Sequence, residues 1–131
     1  MWHRKYVDWT AGQLIGRQEG SDREVDFAKQ AAVYGLYAAN NELVYVGQAG
    51  RGCLYNRLRN HALEDDLFCL WKRFSWFGFY SPEQLGRSQV EDIVVTRLAL
   101  KDALDAIESI AIYLALPRYN LRRETGFQHV A

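Results

Sequence analysis

Glu108 raises the first chemical question. It lies in KDALDAIESIAIYLAL, residues 101–116, with Leu104 and Ile112 four residues to either side on the same helical stripe. A carboxylate there is costly unless it meets a cation, a metal ion or water in a cleft. On this segment alone, a structural ion pair and a metal-ligating role stand level. Arg57 and His61, four apart in LYNRLRNHAL, stack along one edge of a helix. They are either an exposed arginine and a histidine at the core margin, or a pair turned toward whatever lies beside the helix. Tyr37 and Tyr45 flank Asn40-Asn41 in YGLYAANNELVYVG, as strand fillers or as part of a site. Arg118, Arg122 and Arg123 surround Asn120 in PRYNLRR. That cluster reads as a solvated turn or as a phosphate contact.

The elements that must position these residues follow from local pattern. AVYGLYA, NN and ELVYVG together make a hairpin signature, rich in Val and Tyr and bounded by turn formers. A two-residue turn at Asn40-Asn41 opposes Tyr37 to Val44 and sends Tyr37 and Tyr45 to opposite faces. A three-residue turn, or a bulge, brings both to one face. Asn tolerates the left-handed conformation that three-residue turns use, so an odd-length loop with both tyrosines on one face is expected. LYNRLRNHAL reads as a helix burying Leu54, Leu58 and Ala62. WKRFSWFGFY, 71–80, reads as a third strand whose aromatics enter the core. Ser88 with Glu91 resembles a capping box opening QVEDIVVTRLAL, read as helix. The 101–116 segment is the clearest helix, with Asp102 at its N-cap, Pro117 at its end and burial on most sides.

At 131 residues with 49% hydrophobic and 24% charged side chains, the chain has the size of one compact domain. Sixteen Lys and Arg balance sixteen Asp and Glu, so any basic surface must be local. Cys53 and Cys69 form no C-x-x-C pair, which argues against a zinc site or a disulfide framework and for two buried thiols in a reducing compartment. No apolar run reaches a membrane span and MWHRKYVDW lacks a signal-peptide centre, so a soluble, cytoplasmic protein is expected. Residues 1–30 read as a partly helical N-terminal extension that packs on the 31–131 domain or serves as an arm.

Taken in order, GLY at 35–37, YVG at 45–47, Arg57 with His61, helical Glu108 and PRYN ending at Asn120 resemble the GIY-YIG nuclease family over roughly Val33 to Arg122. The resemblance implies an α+β fold, a small three-stranded antiparallel sheet flanked by helices, and hydrolysis of DNA phosphodiesters with one Mg²⁺ or Mn²⁺ ion. It places Tyr37 and Tyr45 in the catalytic cleft and matches Arg57, Glu108 and Asn120 to the family's arginine, metal-binding glutamate and late asparagine. His61 is similar to the histidine of homing and restriction members rather than to the tyrosine usual in excision-repair members. Gln48 stands where Lys, Ser or Thr is common, the loop between Gly47 and Arg57 is about two residues longer than in compact members, and 86–101 looks inserted.

Cleaving a phosphodiester needs an in-line water, stabilisation of the charge on the phosphate and relief for the leaving oxygen. On this reading Glu108 binds the ion, Arg57 forks onto the phosphate, and Tyr37 is the general base. A phenol with a reference pKa near 10 needs help at neutral pH, which His61 and Tyr45 would give, with Asn120 holding Glu108 or a backbone turn. Arg51, Arg59, Arg118, Arg122 and Arg123 are the candidate DNA contacts. A homodimer using Trp2, Tyr6 and Trp9, or a separate targeting subunit, would serve double-strand cleavage. The competing readings are a non-catalytic nucleic-acid-binding module on the same fold and a structure-specific repair nuclease.

Overall fold

The computed structural model describes residues 1–17, 20, 22–50, 54–64, 66–85, 97–115, 117 and 120. The elements are β1 (Trp2–His3), a 3-10 turn (Arg4–Tyr6), β2 (Ile15–Arg17), β3 (Glu24–Asp26), β4 (Ala32–Tyr37), β5 (Leu43–Ala49), α1 (Leu54–Leu63), β6 (Arg73–Gly78), α2 (Pro82–Leu85) and α3 (Arg97–Ala115). The fold is α+β. The main sheet has four antiparallel strands in the order β1-β6-β4-β5, and β2 and β3 form a separate antiparallel pair.

The expected three strands are therefore joined by a fourth. Trp2 pairs with Phe74 and His3 with Arg73, so the N-terminus extends the sheet. The Trp2 ring sits among Phe27, Phe74 and Trp76 at centroid distances of 6.2, 5.8 and 4.8 Å. Leu14 and Ala28 lie in the same buried cluster as Tyr34 and Leu58. Residues 1–30 thus pack into the domain, and among those described the only helical piece is the Arg4–Tyr6 turn. Two- and three-residue strands leave too short a pattern to read locally; they exist because a long-range partner completes their hydrogen bonds.

The sheet separates two apolar layers. On one face α1 buries Leu54, Leu58 and Ala62 against Tyr34, Leu36, Val44 and Phe74, as its 3.6-residue stripe requires. On the other, Leu100, Leu104 and Ile112 of α3 pack on Val33 and Val46. The chain enters α1 with its first amides satisfied: Leu54 and Tyr55 N–H donate to the carbonyls of Gln30 and Ala28. At the other end of α1, Trp71 Nε1 donates to the His61 carbonyl (3.0 Å) and Arg4 Nη2 to that of Ala62 (2.6 Å). Two amides at the start of α1 and two carbonyls at its end are thereby met by loop backbone and side chains.

Several local expectations change. The helix read over 101–116 begins at Arg97, so Asp102 is interior and is not the N-cap, and the first turn occupies the end of the expected insertion. Its exposed positions include Ile110, so α3 is buried along one face only. β6 is shorter than 71–80, and Phe77 stands 64% exposed beside core residues Trp71, Phe74 and Tyr80. Cys69 is exposed, so it is not the buried thiol expected. Cys53 and the Ser88–Glu91 capping box lie outside the described residues. Among the described residues no helix is long and apolar enough to cross a membrane.

Candidate functional site

The hairpin register decides which tyrosine belongs to the site. Asn41 N–H donates to the Ala38 carbonyl (3.0 Å) and Ala38 N–H to that of Glu42 (2.9 Å), enclosing a three-residue loop with Asn41 in the left-handed region at φ 65°. The expected odd loop is present. It pairs Tyr37 with Leu43, but the register then shifts, and Leu36 pairs with Tyr45. A bulge at Val44 has added a second odd step. Two odd steps cancel, because each moves the side chains of one strand by one pleat.

Tyr37 and Tyr45 consequently lie on opposite faces, which overturns the paired-tyrosine expectation. Tyr37 lies on the α3 side over Gly35, with its hydroxyl 3.0 Å from Ser75 Oγ. Its place on the α1 side is taken by Tyr34. Tyr34 opposes Gly47 across the pair, and its hydroxyl lies 2.7 Å from His61 Nε2. The Tyr45 ring is 6.2 Å from that of Tyr34 and 4.9 Å from that of His61. Tyr34 (1% exposed) and His61 (5%) are buried, and Tyr45 is the half-buried member that reaches outward. His61 is thus turned into the core and does not sit at an exposed rim. Gly47 makes the arrangement possible: a Cβ there would fall 2.5 Å from Tyr34 Oη and 2.7 Å from Tyr45 Cε1.

Tyr34 was missed because YGLY contains two tyrosines three residues apart, and the glycine pointed to the second. The signal that finds it is the glycine of YVG, which needs a large neighbour across the strand. In this register that neighbour is residue 34.

No known protein family, characterised protein or solved structure matches this chain. The reading of the site therefore rests on its own geometry.

The remaining residues collect along β5, the strand at the edge of the sheet. Val46 and Gln48, two residues apart, present their outward backbone groups to that edge. Asn120 spans the first: its Oδ1 accepts from Val46 N–H (2.6 Å) and its Nδ2 donates to the Val46 carbonyl (2.5 Å). A buried side-chain amide thereby stands in for one residue of a neighbouring strand. Of the two tasks expected of Asn120, holding Glu108 or holding backbone, this geometry supplies the second. Arg57 reaches the next position, its Nε 3.3 Å from the Gln48 carbonyl, while the rest of its exposed guanidinium faces outward.

The Gln48 side chain points to the other face, donating to Asp105 Oδ1 at 2.8 Å. Asp105 also receives Lys101 Nζ at 2.6 Å. The Lys101 and Gln48 hydrogen bonds hold the Asp105 carboxyl below the usual carboxylate range, and Asp105 in turn raises Lys101. Glu108, half-buried, follows Asp105 by three residues on α3, and so lies about one helical turn on. One strand residue, Gln48, therefore links Arg57 of α1 to the acidic turn of α3.

The expected DNA contacts fare differently. Arg59 is engaged, with Nη1 2.7 Å from Glu64 Oε1 and Nε 3.3 Å from the Trp9 carbonyl, so it is not a free cation. Arg51, Arg118, Arg122 and Arg123 lie outside the described residues. Trp9 packs on Tyr55 and Trp71 and Trp2 is used within the sheet, so of the three aromatics expected at a dimer contact only Tyr6 stays exposed.

A magnesium-type ion keeps several waters and takes one or two protein carboxylates. Glu108 supplies one on a helix beside the edge strand, and Asp105 is occupied by Lys101 and Gln48. Among the described residues no group of three or more His, Cys, Asp and Glu side chains gathers to cage an ion.

Proposed function

We propose that the chain is a metal-dependent DNA endonuclease of the GIY-YIG kind, acting at the outer edge of β5. One observation carries the reading: Gln48 is bonded through its carbonyl to Arg57 and through its side chain to Asp105, so the cation of α1 and the acidic turn of α3 reach one strand from opposite faces. Phosphodiester cleavage calls for these two kinds of group, a guanidinium for the non-bridging oxygens and a carboxylate for the ion.

In this mechanism Arg57 binds and orients the phosphate with its outward fork. Glu108 is the residue that would hold a Mg²⁺ or Mn²⁺ ion, and such an ion would supply charge relief for the departing oxygen. Tyr45, as the half-buried member, positions the attacking water. The Tyr34–His61 pair behind it accepts the proton, since imidazole is a far better base at neutral pH than a lone phenol. Asn120 fixes β5 so that these groups keep their spacing. Tyr37 has no place in the mechanism, being on the α3 face beside Ser75.

The test is supercoiled plasmid incubated with the purified protein and Mg²⁺, Mn²⁺ or chelator. Glu108→Gln abolishes cutting, Arg57→Lys and Tyr45→Phe each reduce it by about tenfold or more, and Tyr37→Phe leaves it near wild type. A Tyr37→Phe variant as impaired as Tyr45→Phe would refute the assignment of faces to roles. Absence of metal-dependent cutting of plasmid, single strands and branched DNA would replace the enzyme with a binding module.

A further inference from the structure

At the end of the sheet that carries the Asn40-Asn41 tip, a groove of about 380 Å³ is lined by His3, Arg4, Lys5, Ala39, Lys72 and Arg73. Every side chain there except Ala39 is basic, in a chain of net charge zero. Elsewhere, Arg17, Arg23, Arg59 and Lys101 each meet a carboxylate. Among the described residues none of Arg4, Lys5, Lys72 and Arg73 does. Arg4 donates to the carbonyls of Phe68, Trp71 and Ala62 and lies 4.8 Å over the Trp71 ring. Arg73 uses Nη1 on the Ala39 carbonyl (3.1 Å) and Asn41 Oδ1 (2.5 Å), and Nε on His3 Nε2 (3.4 Å). All these acceptors are neutral. The guanidiniums are held in place but not neutralised, so a positive field gathers over the groove.

His3 also lines an adjoining cleft of about 570 Å³, with Trp2, Tyr6, Val7 and Leu14 among its walls. Tyr6 is 76% exposed, its ring held edge-on by His3 (5.7 Å) and under the Lys5 ammonium (4.8 Å). Asp8, the one carboxylate lining either compartment among the described residues, is turned to the Thr10 amide and hydroxyl. A cationic compartment opening onto an exposed aromatic suits a phosphate joined to an unstacked base.

We propose that this surface binds single-stranded nucleic acid, with backbone phosphates against Lys5, Lys72 and Arg73 and a base against Tyr6. Duplex offers the same phosphates but keeps its bases stacked, so it lacks the second contact. A groove already shaped by pinned arginines loses little side-chain freedom on binding. The assignment stands apart from any cutting at the β5 edge, because no residue is shared.

The test is fluorescence anisotropy of a labelled oligo-dT and a labelled oligo-U, in chelator so that cutting cannot intervene. Three phosphate contacts predict an affinity falling about twentyfold between about 50 and about 200 mM salt, and Lys5→Gln with Lys72→Gln reduces that fall to about threefold. Tyr6→Ala weakens single-strand binding by about tenfold and leaves duplex binding unchanged. All three side chains are exposed, so the variants fold, which circular dichroism checks. A wild-type salt response in the lysine double variant overturns the proposal, as does an effect confined to Arg57→Gln. An acidic peptide displacing the oligonucleotide at equal concentration also overturns it, in favour of a protein partner.

Discussion

Gly47→Ala tests the geometry of the tyrosine–histidine cluster most directly. The new Cβ would lie 2.5 Å from Tyr34 Oη, 2.6 Å from Tyr34 Cζ and 2.7 Å from Tyr45 Cε1, all closer than carbon atoms tolerate. Tyr34 cannot swing away cheaply, because its ring is buried and its hydroxyl is fixed on His61 at 2.7 Å. Overpacking of this kind costs about 1–3 kcal/mol, and losing the Tyr34–His61 hydrogen bond adds about 1 kcal/mol. Replacing a strand glycine returns about 0.5–1 kcal/mol. The net destabilisation is about 1–3.5 kcal/mol, which for 131 residues lowers Tm by about 4–13 °C. Thermal unfolding followed by circular dichroism measures it. The same substitution in a Tyr34→Phe background removes the nearest clashing atom and should cost at least about 1 kcal/mol less. A Tm change below about 2 °C, or strict additivity of the two substitutions, would refute the contact between residues 34 and 47.

Two further predictions concern the edge strand. Asn120→Ala removes both hydrogen bonds to Val46 and should cost about 2–4 kcal/mol in urea unfolding, with faster exchange of the Val46 amide hydrogen. Asn120→Asp does not rescue it, because a carboxylate faces the Val46 carbonyl where an N–H stood. For Asp105 the folded pKa lies below its ordinary 3.8, so its contribution is present above that value and is lost as pH falls through the folded pKa. For Lys101 the folded pKa lies above 10.5, so its share is present below that value and is lost as pH rises through the folded pKa. The contribution of this pair should be flat between these limits and fall at both ends, and Asp105→Asn should reduce the loss at the acid end, the remainder coming from Asp8 and Glu83, whose carboxyls are also held low.

Much of the scaffold was legible because its signals are local. The Leu54, Leu58 and Ala62 stripe placed α1, and the Val- and Tyr-rich runs around Asn40-Asn41 placed the hairpin and the left-handed asparagine. What escaped depends on distant partners. β1 forms because Trp2 finds Phe74, and the Val44 bulge appears only when Leu36 pairs with Tyr45. His61 looked like an edge residue by helical angle alone, but the sheet it meets carries Tyr34 there. Arg57, Gln48 and the α3 acidic turn were each visible as residues, whereas the hydrogen bonds that join them across β5 required the packed structure.

The cancelling steps in the hairpin separate the face a side chain occupies from its distance along the chain. The face each tyrosine occupies is set by counting pleats, not residues. A chain one residue shorter between Tyr34 and Tyr45 that kept the three-residue tip and lacked the bulge would align Leu36, Tyr45 and Gly47 as they are aligned in this protein. A four-residue tip without a bulge would do so at the present length. A fixed spacing between the two tyrosines is therefore not what the geometry requires; a glycine two residues after the second tyrosine, facing the first across the sheet, is.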